Sequence, residues 1–252
     1  MAKIVKKGMD LEKKLAQAQK QYSKKRDTAL LFFGGAALTG IGIFFLRLFV
    51  FWYIPAILMG LCVLFLFSSA SDAKEIDIVK VGIEGENATS NCIEWLPDSY
   101  TAFRNLTVQY DGKSSEIDLL LVGPTGLFVI ETKNLNGYIR ADLNGTQWTQ
   151  HKVGRGGTPY SKTFYSPVKQ VNTHVYRLAN ALKQRGVRAY VNPVVFFANE
   201  ETTLEIMGRT DKAMLFSAQN NGVRQMMEYI LRNPQTIPQN ECDRIVRILQ
   251  SM

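Results

Sequence analysis

The chain has 252 residues, with thirty Lys and Arg against twenty-two Asp and Glu, and a formal net charge of +8. This length accommodates one large domain, or one domain with appended segments. The spacing of the three cysteines does not match a disulfide framework, and the cysteines and histidines together do not have the spacing of a zinc site. A fold held together by disulfides or by structural zinc is therefore excluded.

Residues 1–27 form a basic arm. Nine of the first 26 residues are Lys or Arg, and they are opposed only by Asp10 and Glu12. Apolar residues recur between the lysines at helical spacing, which predicts an amphipathic helix against anionic lipid. A solvated helix that merely fixes the membrane topology fits the same pattern.

Residues 28–69 are almost entirely apolar, because Arg47 is the only formal charge between Thr28 and Phe67. A helix of that length would be about 60 Å long, twice the hydrocarbon core of a bilayer. We therefore expect two transmembrane helices, roughly 28–46 and 51–69, joined by a tight turn at 47–50. A cleaved signal peptide fits poorly, since the apolar region is too long and starts too late.

The basic arm sets the expected orientation. The positive-inside rule places the arm in the cytoplasm, and two spans return the rest of the chain to the same side. The prediction is a multi-pass membrane protein with both termini cytoplasmic. The polar residues 70–80 are expected to be a linker.

The remaining residues predict a folded α/β domain over 81–200, followed by a strand and helices over 201–252 that pack on it. Helical and strand patterns alternate, which favours a mixed β-sheet flanked by helices on both faces. The predicted elements are a helix at 83–96, a strand at 103–110, a hairpin at 116–133, short strands at 138–140 and 147–152, a helix at 167–184, strands at 190–198 and 212–217, and helices at 223–232 and 240–250.

The hairpin carries the most informative pattern. Its two apolar runs flank a Gly-Pro-Thr-Gly turn at 123–126, and a symmetric turn places residues whose numbers sum to 249 opposite each other. Asp118 then faces Glu131, and the two carboxylates repel unless a divalent cation lies between them. Lys133 shares a face with Glu131, because side chains alternate along a strand. A surface ion pair of Lys133 with Glu116 is the alternative interpretation.

Positive charge is concentrated between residues 132 and 199, which hold ten Lys or Arg and a single acid, Asp142. Cations mixed with aromatic residues are typical of surfaces that bind single-stranded nucleic acid. An ordinary flexible surface loop is an equally good interpretation of the segment. The candidate nucleic-acid contacts are Lys152, Arg155, Lys162 and Lys169, interspersed with Tyr160, Phe164 and Tyr165.

Several of these motifs, in this order, resemble the nuclease-related domain (NERD), which is similar to the restriction-endonuclease-like PD-(D/E)XK superfamily. The resemblance covers roughly Val81 to Ala198. Five motifs carry the resemblance. They are Gly-Ile-Glu-Gly-Glu at 82–86, Glu-Ile-Asp at 116–118, Gly-Pro-Thr-Gly at 123–126, Glu-Thr-Lys-Asn at 131–134 followed by Gly137, and Pro-x-x-Gln at 167–170.

The resemblance implies a restriction-endonuclease-like core and a catalytic site. Asp118 and Glu131 would bind Mg²⁺ or Mn²⁺, with Glu86 as an outer acidic residue of the metal site. Lys133 would orient or help to deprotonate the attacking water, and Gln170 would approach from the later helix.

One position departs from the family's motif, and the two histidines of the chain are not part of it. Ser166 stands where the family usually has Asn before the helix proline, which leaves any substrate contact there in doubt. Neither His151 nor His174 is needed as a general base, and His174 is expected to be a surface or partly buried structural residue.

The resulting hypothesis is a membrane-anchored, divalent-metal-dependent nuclease that hydrolyses nucleic acid, DNA rather than RNA, on the cytoplasmic side. The alternative is a non-catalytic nucleic-acid-binding or adaptor membrane protein with the same fold. A membrane scaffold that binds no polyanion is the third and least specific option.

Overall fold

The structure is a computed structural model that describes residues 2–6, 10–46, 51, 53–93, 96–154, 156–209 and 212–252. The chain divides into two compact units, one made of Met1–Met9 with Glu84–Met252 and the other of Asp10–Ile83. In chain order the elements are β1 (Lys3–Lys6), α1 (Asp10–Leu46), α2 (Tyr53–Ile93), β2 (Thr101–Tyr110), β3 (Lys113–Gly123), β4 (Gly126–Lys133), β5 (Gly137–Asp142), β6 (Gln147–Val153), β7 (Pro159–Tyr165), α3 (Pro167–Gln184), β8 (Val191–Phe197), β9 (Thr202–Met207), β10 (Met214–Ser217), α4 (Gly222–Leu231) and α5 (Gln239–Gln250).

The unit Asp10–Ile83 is helical, and both of its helices contain a segment long and apolar enough to cross a membrane, Glu12–Phe44 and Tyr53–Asn87. Only 11% and 12% of their most apolar stretches are buried, so neither resembles the core helix of a soluble protein. At the polar end of the pair, Lys25 of α1 forms a 2.9 Å ion pair with the buried Asp72 of α2.

Two predictions for this part of the chain differ from the structure. Residues 70–80, predicted as a polar linker, are helical, because α2 runs unbroken through them to Ile93 and the segment contains no Gly or Pro that would end a helix. The arm is helical from Asp10 onward, but Lys3–Lys6 is the strand β1. The predicted turn at 47–50 lies outside the described residues.

The larger unit is built on a six-stranded mixed sheet of order β1-β2-β3-β4-β8-β10. Strands β2, β3 and β4 are antiparallel, whereas β8 runs parallel to β4 and β1 runs parallel to β2. The mixed sheet with flanking helices confirms the predicted fold class.

The central strands are buried on both faces, as their continuous apolar runs predict. One face packs against α3 and α5, with Leu120, Val129 and Leu178 in the shared core. The other face packs against α4 and the end of α2, with Leu121, Phe128 and Ile93 in a second core.

A second sheet of four strands, of order β7-β6-β5-β9, extends the first core. Its Ile139 and Trp148 are fully buried in the same cluster as α3. Two of its strands are absent from the sequence prediction. β7 is exposed along most of its length and therefore lacks the apolar alternation that marks a strand, and β9 alternates only weakly.

The hairpin register is confirmed. Leu119 pairs with Ile130 and Gly123 with Gly126, so paired residue numbers sum to 249 as the symmetric turn requires. The ladder ends at Leu119 and Ile130, and the next position on each strand is Asp118 and Glu131. The two carboxylates therefore lie at the point where β3 and β4 separate.

Candidate metal and nucleic-acid site

The carboxylates of Asp118 and Glu131 are held on the sheet face that packs against α3. Glu131 is only 2% exposed, and Asp118 is half-buried. The main-chain N–H of Thr132 donates a 2.9 Å hydrogen bond to Oδ2 of Asp118. This bond spans the gap beyond the last paired residues and fixes the Asp118 side chain against β4.

Asn105 on β2 lies directly opposite Asp118 and has a left-handed backbone, with φ of +52°. Its neighbours Arg104 and Leu106 pair normally with Leu119 and Ile117, so the distortion is confined to this one position. Asn tolerates left-handed geometry better than most residues, but the conformation still costs about 1 kcal/mol or more. The strand therefore carries local strain beside Asp118.

Lys133 is tied to the site by two hydrogen bonds. Its Nζ donates to Oε1 of Glu131 at 2.6 Å and to Oε1 of Gln170 at 3.0 Å. Gln170 lies in the first turns of α3, so the structure brings together three of the predicted site residues. Both of these bonds of Lys133 lie within the predicted site.

His174 also contacts the site. It lies four residues after Gln170 on α3, so the two side chains share one helix face. Its Nε2 is 3.3 Å from Oε2 of Glu131, and the side chain is buried. The sequence interpretation of His174 as a surface or partly buried structural residue omitted this contact, although the four-residue spacing from Gln170 could have indicated it.

The pKa values of the two carboxylates are shifted in opposite directions. Burial raises the pKa of Asp118 well above its usual value, and the neighbouring charge of Glu131 raises it further, outweighing the hydrogen bond from Thr132. Burial alone would also raise the pKa of Glu131, but contact with His174 and the Lys133 ammonium lowers it below its usual value. Glu131 is therefore the stable anion of the pair, and Asp118 is the carboxylate that needs a further cation.

Glu86 approaches from α2. It is half-buried, and its charge contributes to the raised pKa of Asp118. The last turns of α2 pack closely on the end of β4, since a Cβ on Gly85 would lie 2.6 Å from Cβ of Asn134. Thr89 and Thr132 are hydrogen-bonded at 3.3 Å on the same side. Gly85 is therefore the position that lets the helix bring Glu86 to this end of the sheet.

The residues fit a hard divalent cation in their chemistry. Oε2 of Glu131 is buried and forms no hydrogen bond of good geometry among the described residues; its 3.3 Å contact with Nε2 of His174 leaves lone pairs to which a cation could bind. Mg²⁺ is usually held by one or two carboxylates with water completing its shell. Among the described residues, however, no group of three or more His, Cys, Asp or Glu is placed to hold a metal ion. The fit therefore rests on the pair Asp118 and Glu131, with Glu86 outside it.

Ser166 is the N-cap residue of α3 and is fully buried. Its hydroxyl makes no capping hydrogen bond and has no hydrogen-bond partner among the described residues. The side chain is thus enclosed beneath the start of the helix.

The two flanks of the basic segment, Gln147–Val153 and Pro159–Tyr165, are the paired strands β6 and β7 of a hairpin. Lys152 of β6 pairs with Tyr160 of β7, and Gln150 pairs with Lys162. Since alternate residues share a face, Lys152, Tyr160 and Lys162 lie on one side of the hairpin. The side chain of Lys152 lies next to Gly137, and Gly137 follows Lys133 by four residues.

Two other candidate contacts lie elsewhere. Lys169 lies on α3 beside a separate cleft, so the structure does not group it with the hairpin lysines. Arg155 lies outside the described residues. His151, on the opposite side of the hairpin, contacts Ser161 through Nδ1 at 2.8 Å.

Comparison with known proteins agrees with the motifs. The chain is 30% identical over 106 residues to an uncharacterized protein of Bacillus anthracis, and the match covers 41% of this chain and 48% of that protein. The chain thus matches only about half the length of this relative. No solved structure matches the chain. The family model of the nuclease-related domain matches residues 81–198, the segment that contains β2–β8 and α3, and this segment is therefore a nuclease-related domain.

Proposed function

We propose that the protein is a membrane-anchored nuclease that hydrolyses phosphodiester bonds of nucleic acid, DNA in preference to RNA, with the help of Mg²⁺ or Mn²⁺. The observation that carries the proposal is the convergence of Asp118, Glu131, Lys133 and Gln170 at one end of the central sheet. Three separate elements, β3, β4 and α3, supply these side chains.

The carboxylates of Asp118 and Glu131 are proposed to hold the cation, with Glu86 adding negative charge from outside. A bound divalent cation supplies an activated water and offsets charge that develops on the phosphoryl oxygens. Lys133 is proposed to orient the attacking water and to oppose negative charge on the phosphate. Gln170 and His174 hold Lys133 and Glu131 in place from the α3 side.

The β6–β7 hairpin supports binding of a nucleic-acid strand near this site. Lys152 and Lys162 supply charge, and Tyr160, which is 50% exposed, supplies a ring on which a base can stack. Lys169 and Arg155 remain proposed contacts on sequence grounds.

The lipid bilayer is the proposed second partner. The two apolar helices support an anchor of two spans, and the nine basic residues of the arm support a cytoplasmic N-terminus. Strand β1 belongs to the same sheet as β2–β4. A sheet cannot be shared across a bilayer, so this pairing supports placing the N-terminus and the nuclease-related domain on one side, the cytoplasmic one.

A non-catalytic nucleic-acid-binding or adaptor protein remains the second candidate. The observation that favours it is that no group of three metal-holding residues occurs in the described part of the chain. The hairpin cations would suffice for binding without turnover. Binding that is unaffected by chelation, in a protein that takes up no metal, would support this candidate.

The deciding experiment uses the full-length protein in detergent micelles. Metal uptake is measured by titration calorimetry, and cleavage of supercoiled and single-stranded DNA is measured with Mg²⁺ and with Mn²⁺. The wild-type protein is compared with Lys133→Ala and with Lys183→Ala, an exposed lysine at the far end of α3. We expect cleavage to fall by about a hundredfold or more in Lys133→Ala alone. Equal cleavage by all three proteins would reject the assignment.

A further inference from the structure

The inward face of the second sheet changes from apolar to cationic along its strands. At one end, Ile139 of β5 and Trp148 of β6 are fully buried in the first hydrophobic core. At the other end, the same face carries Lys152, Tyr160 and Lys162, because alternate residues of β6 and β7 share a side of the sheet. A buried apolar surface therefore continues directly into two cations and an aromatic ring.

This cationic end adjoins the proposed metal site. The side-chain amide of Gln150 donates a 2.7 Å hydrogen bond to the main-chain oxygen of Asn136, which fixes β6 to the segment that follows β4. Lys152 lies next to Gly137, and Gly137 follows Lys133 by four residues. Four residues span at most about 14 Å, so the two cations lie within a few nucleotides of Lys133 along a bound strand.

The ring of Tyr160 has a defined position near the tip of the hairpin. A Cβ on Gly154 would lie 3.9 Å from the ring, so the ring packs beside the glycine backbone. The N–H of Gly154 donates to the oxygen of Thr158, and the N–H of Gly157 donates to the oxygen of Gly154, both at 2.9 Å. Tyr160 is nevertheless 50% exposed, which leaves ring surface free for a ligand.

The charge distribution on this face favours an anion. The sequence contains no Asp or Glu between residues 143 and 199. Glu205 of β9 accepts a hydrogen bond from the hydroxyl of Tyr138, and Tyr138 pairs with His151, which lies on the outward face. Among the described residues, the inward face of the four strands therefore carries no acid.

A ring between cations distinguishes an unpaired strand from a duplex. In a duplex each base is paired and stacked on its neighbours, so it is not available to a protein side chain. Bases of a single strand are free to stack on an aromatic ring, and this contact tolerates any sequence because every base has a π-face. Phosphates, by contrast, are present in both forms, so lysines alone would not discriminate between them.

We infer that the hairpin selects single-stranded nucleic acid, with an unpaired base stacked on Tyr160 and the neighbouring phosphates held by Lys152 and Lys162. The inference rests on the proposed function for its choice of ligand, and it adds the form of the substrate. The strand continues from the hairpin to Lys133, a few nucleotides away. Unpaired segments are therefore the substrate, and an intact duplex is bound only through its phosphates.

The test measures binding without metal and without cleavage. Full-length protein in detergent, with a chelator present, is titrated into a fluorescein-labelled single-stranded DNA of mixed sequence and into the duplex of the same sequence, and anisotropy is recorded. The variants are Tyr160→Ala and Tyr160→Phe. Tyr165→Ala is the matched control, because Tyr165 lies on the opposite face of β7 and is 49% exposed, almost as much as Tyr160.

We expect Tyr160→Ala to weaken single-strand binding by about tenfold or more, which is the usual effect of removing an aromatic ring from beneath a base. Its duplex binding should stay within about twofold of wild type. Tyr160→Phe should bind the single strand like wild type, since it keeps the ring, and Tyr165→Ala should bind both DNAs like wild type. Equal losses of Tyr160→Ala on both DNAs, or a loss no larger than that of Tyr165→Ala, would overturn the inference.

The phosphate contacts are tested by the salt dependence of single-strand binding. Lys152→Ala/Lys162→Ala should reduce the salt slope by about 1.4, because each phosphate contact to a single strand contributes about 0.7. The control, Lys183→Ala/Arg188→Ala, removes the same charge from exposed positions outside the second sheet and should keep the slope of wild type. Equal slopes for the two double variants would show that the hairpin lysines do not hold phosphates.

The two proposals fail in different ways. Absent metal uptake and cleavage, in a protein whose single-strand binding still depends on Tyr160, would reject the nuclease and leave the hairpin as a single-strand site. Metal-dependent cleavage of single strand and duplex at equal rates, unchanged in Tyr160→Ala, would support the nuclease and reject selection by the hairpin.

Discussion

Asp118 accepts its hydrogen bond from the main chain of Thr132, one position beyond the last paired residues of β3 and β4. The bond favours the ionised carboxylate, yet burial and the charge of Glu131 together raise the pKa of Asp118 well above its usual value. A raised pKa means that the ionised form of this carboxylate is less stable in the folded protein than in water. This is the arrangement expected where a cation completes a site.

The first prediction concerns Asp118→Asn. Asp118 has a higher pKa in the folded protein than in the unfolded chain, where it is near 3.9. Its contribution to the free energy of unfolding is therefore most favourable below pH 3.9, and it becomes less favourable as the pH rises from there through the folded pKa. At pH 7 to 8, above the unfolded pKa, Asp118 therefore destabilises the metal-free protein. Asn lacks the charge and retains an oxygen for the Thr132 N–H. We expect the variant to be more stable by on the order of 1 kcal/mol, a Tm increase of a few degrees.

The measurement is thermal unfolding in detergent with chelator at pH 4 and pH 8, beside the exposed Asp98→Asn as control. The gain of Asp118→Asn should be present at pH 8 and largely absent at pH 4. Added Mg²⁺ should stabilise the wild type and leave Asp118→Asn unchanged. A variant less stable than wild type at pH 8 would contradict the argument.

The second prediction concerns Gln170, which holds Lys133 from α3. Gln170→Ala removes one of the two hydrogen bonds of the ammonium group but leaves the 2.6 Å bond to Glu131. Lys133 should be less well oriented, so kcat should fall by about tenfold while metal affinity changes little. The effect should be clearly smaller than that of Lys133→Ala.

Single-turnover cleavage and titration calorimetry together test this. Gln184→Ala, an exposed glutamine at the end of the same helix, is the matched control. A Gln170→Ala variant that loses metal binding as well as activity would show that the residue acts on the carboxylates, not on Lys133.

The third prediction concerns the backbone of Asn105. Gly adopts positive φ without steric cost, whereas Ala does not. We expect Asn105→Ala to destabilise the protein by about 1 to 2 kcal/mol and Asn105→Gly to be close to neutral, although Gly also has greater freedom in the unfolded chain. Denaturant unfolding of the two variants measures the difference. Equal losses would indicate that the Asn side chain, not the backbone conformation, is what the site requires.

Much of this site could be predicted from the sequence, because its central part is local. The Gly-Pro-Thr-Gly turn sets the hairpin register, and the register brings Asp118 and Glu131 to the same end of the ladder. Strand alternation then places Lys133 beside Glu131. These are short-range rules of backbone geometry, and they need no knowledge of the rest of the fold.

The remaining features depend on contacts between distant segments. The contact of His174 with Glu131 requires the position of α3 on the sheet, and the left-handed Asn105 requires the pairing of β2 with β3. Strand β7 is exposed and so has no apolar pattern, and β1 is a four-residue strand defined only by its partner. Local propensity is weak at such positions, and tertiary context decides them.

The last prediction concerns β1, the strand that precedes the apolar helices. The N–H of Lys3 donates to the oxygen of Tyr100 at 3.0 Å, and in a parallel ladder Val5, two residues on, has its N–H directed the same way. The N–H of Ile4 is directed away from β2. Val5→Pro should therefore remove a ladder hydrogen bond, whereas Ile4→Pro should be tolerated at this edge strand.

Displacement of β1 would expose the edge of β2, and an unpaired edge promotes association between chains. We expect Val5→Pro to lower the Tm and to increase dimers and larger species in size-exclusion chromatography with light scattering. Ile4→Pro should behave nearly as wild type. Identical behaviour of the two proline variants would show that β1 contributes nothing to the sheet, and it would remove one support for placing the N-terminus on the same side of the membrane as the nuclease-related domain.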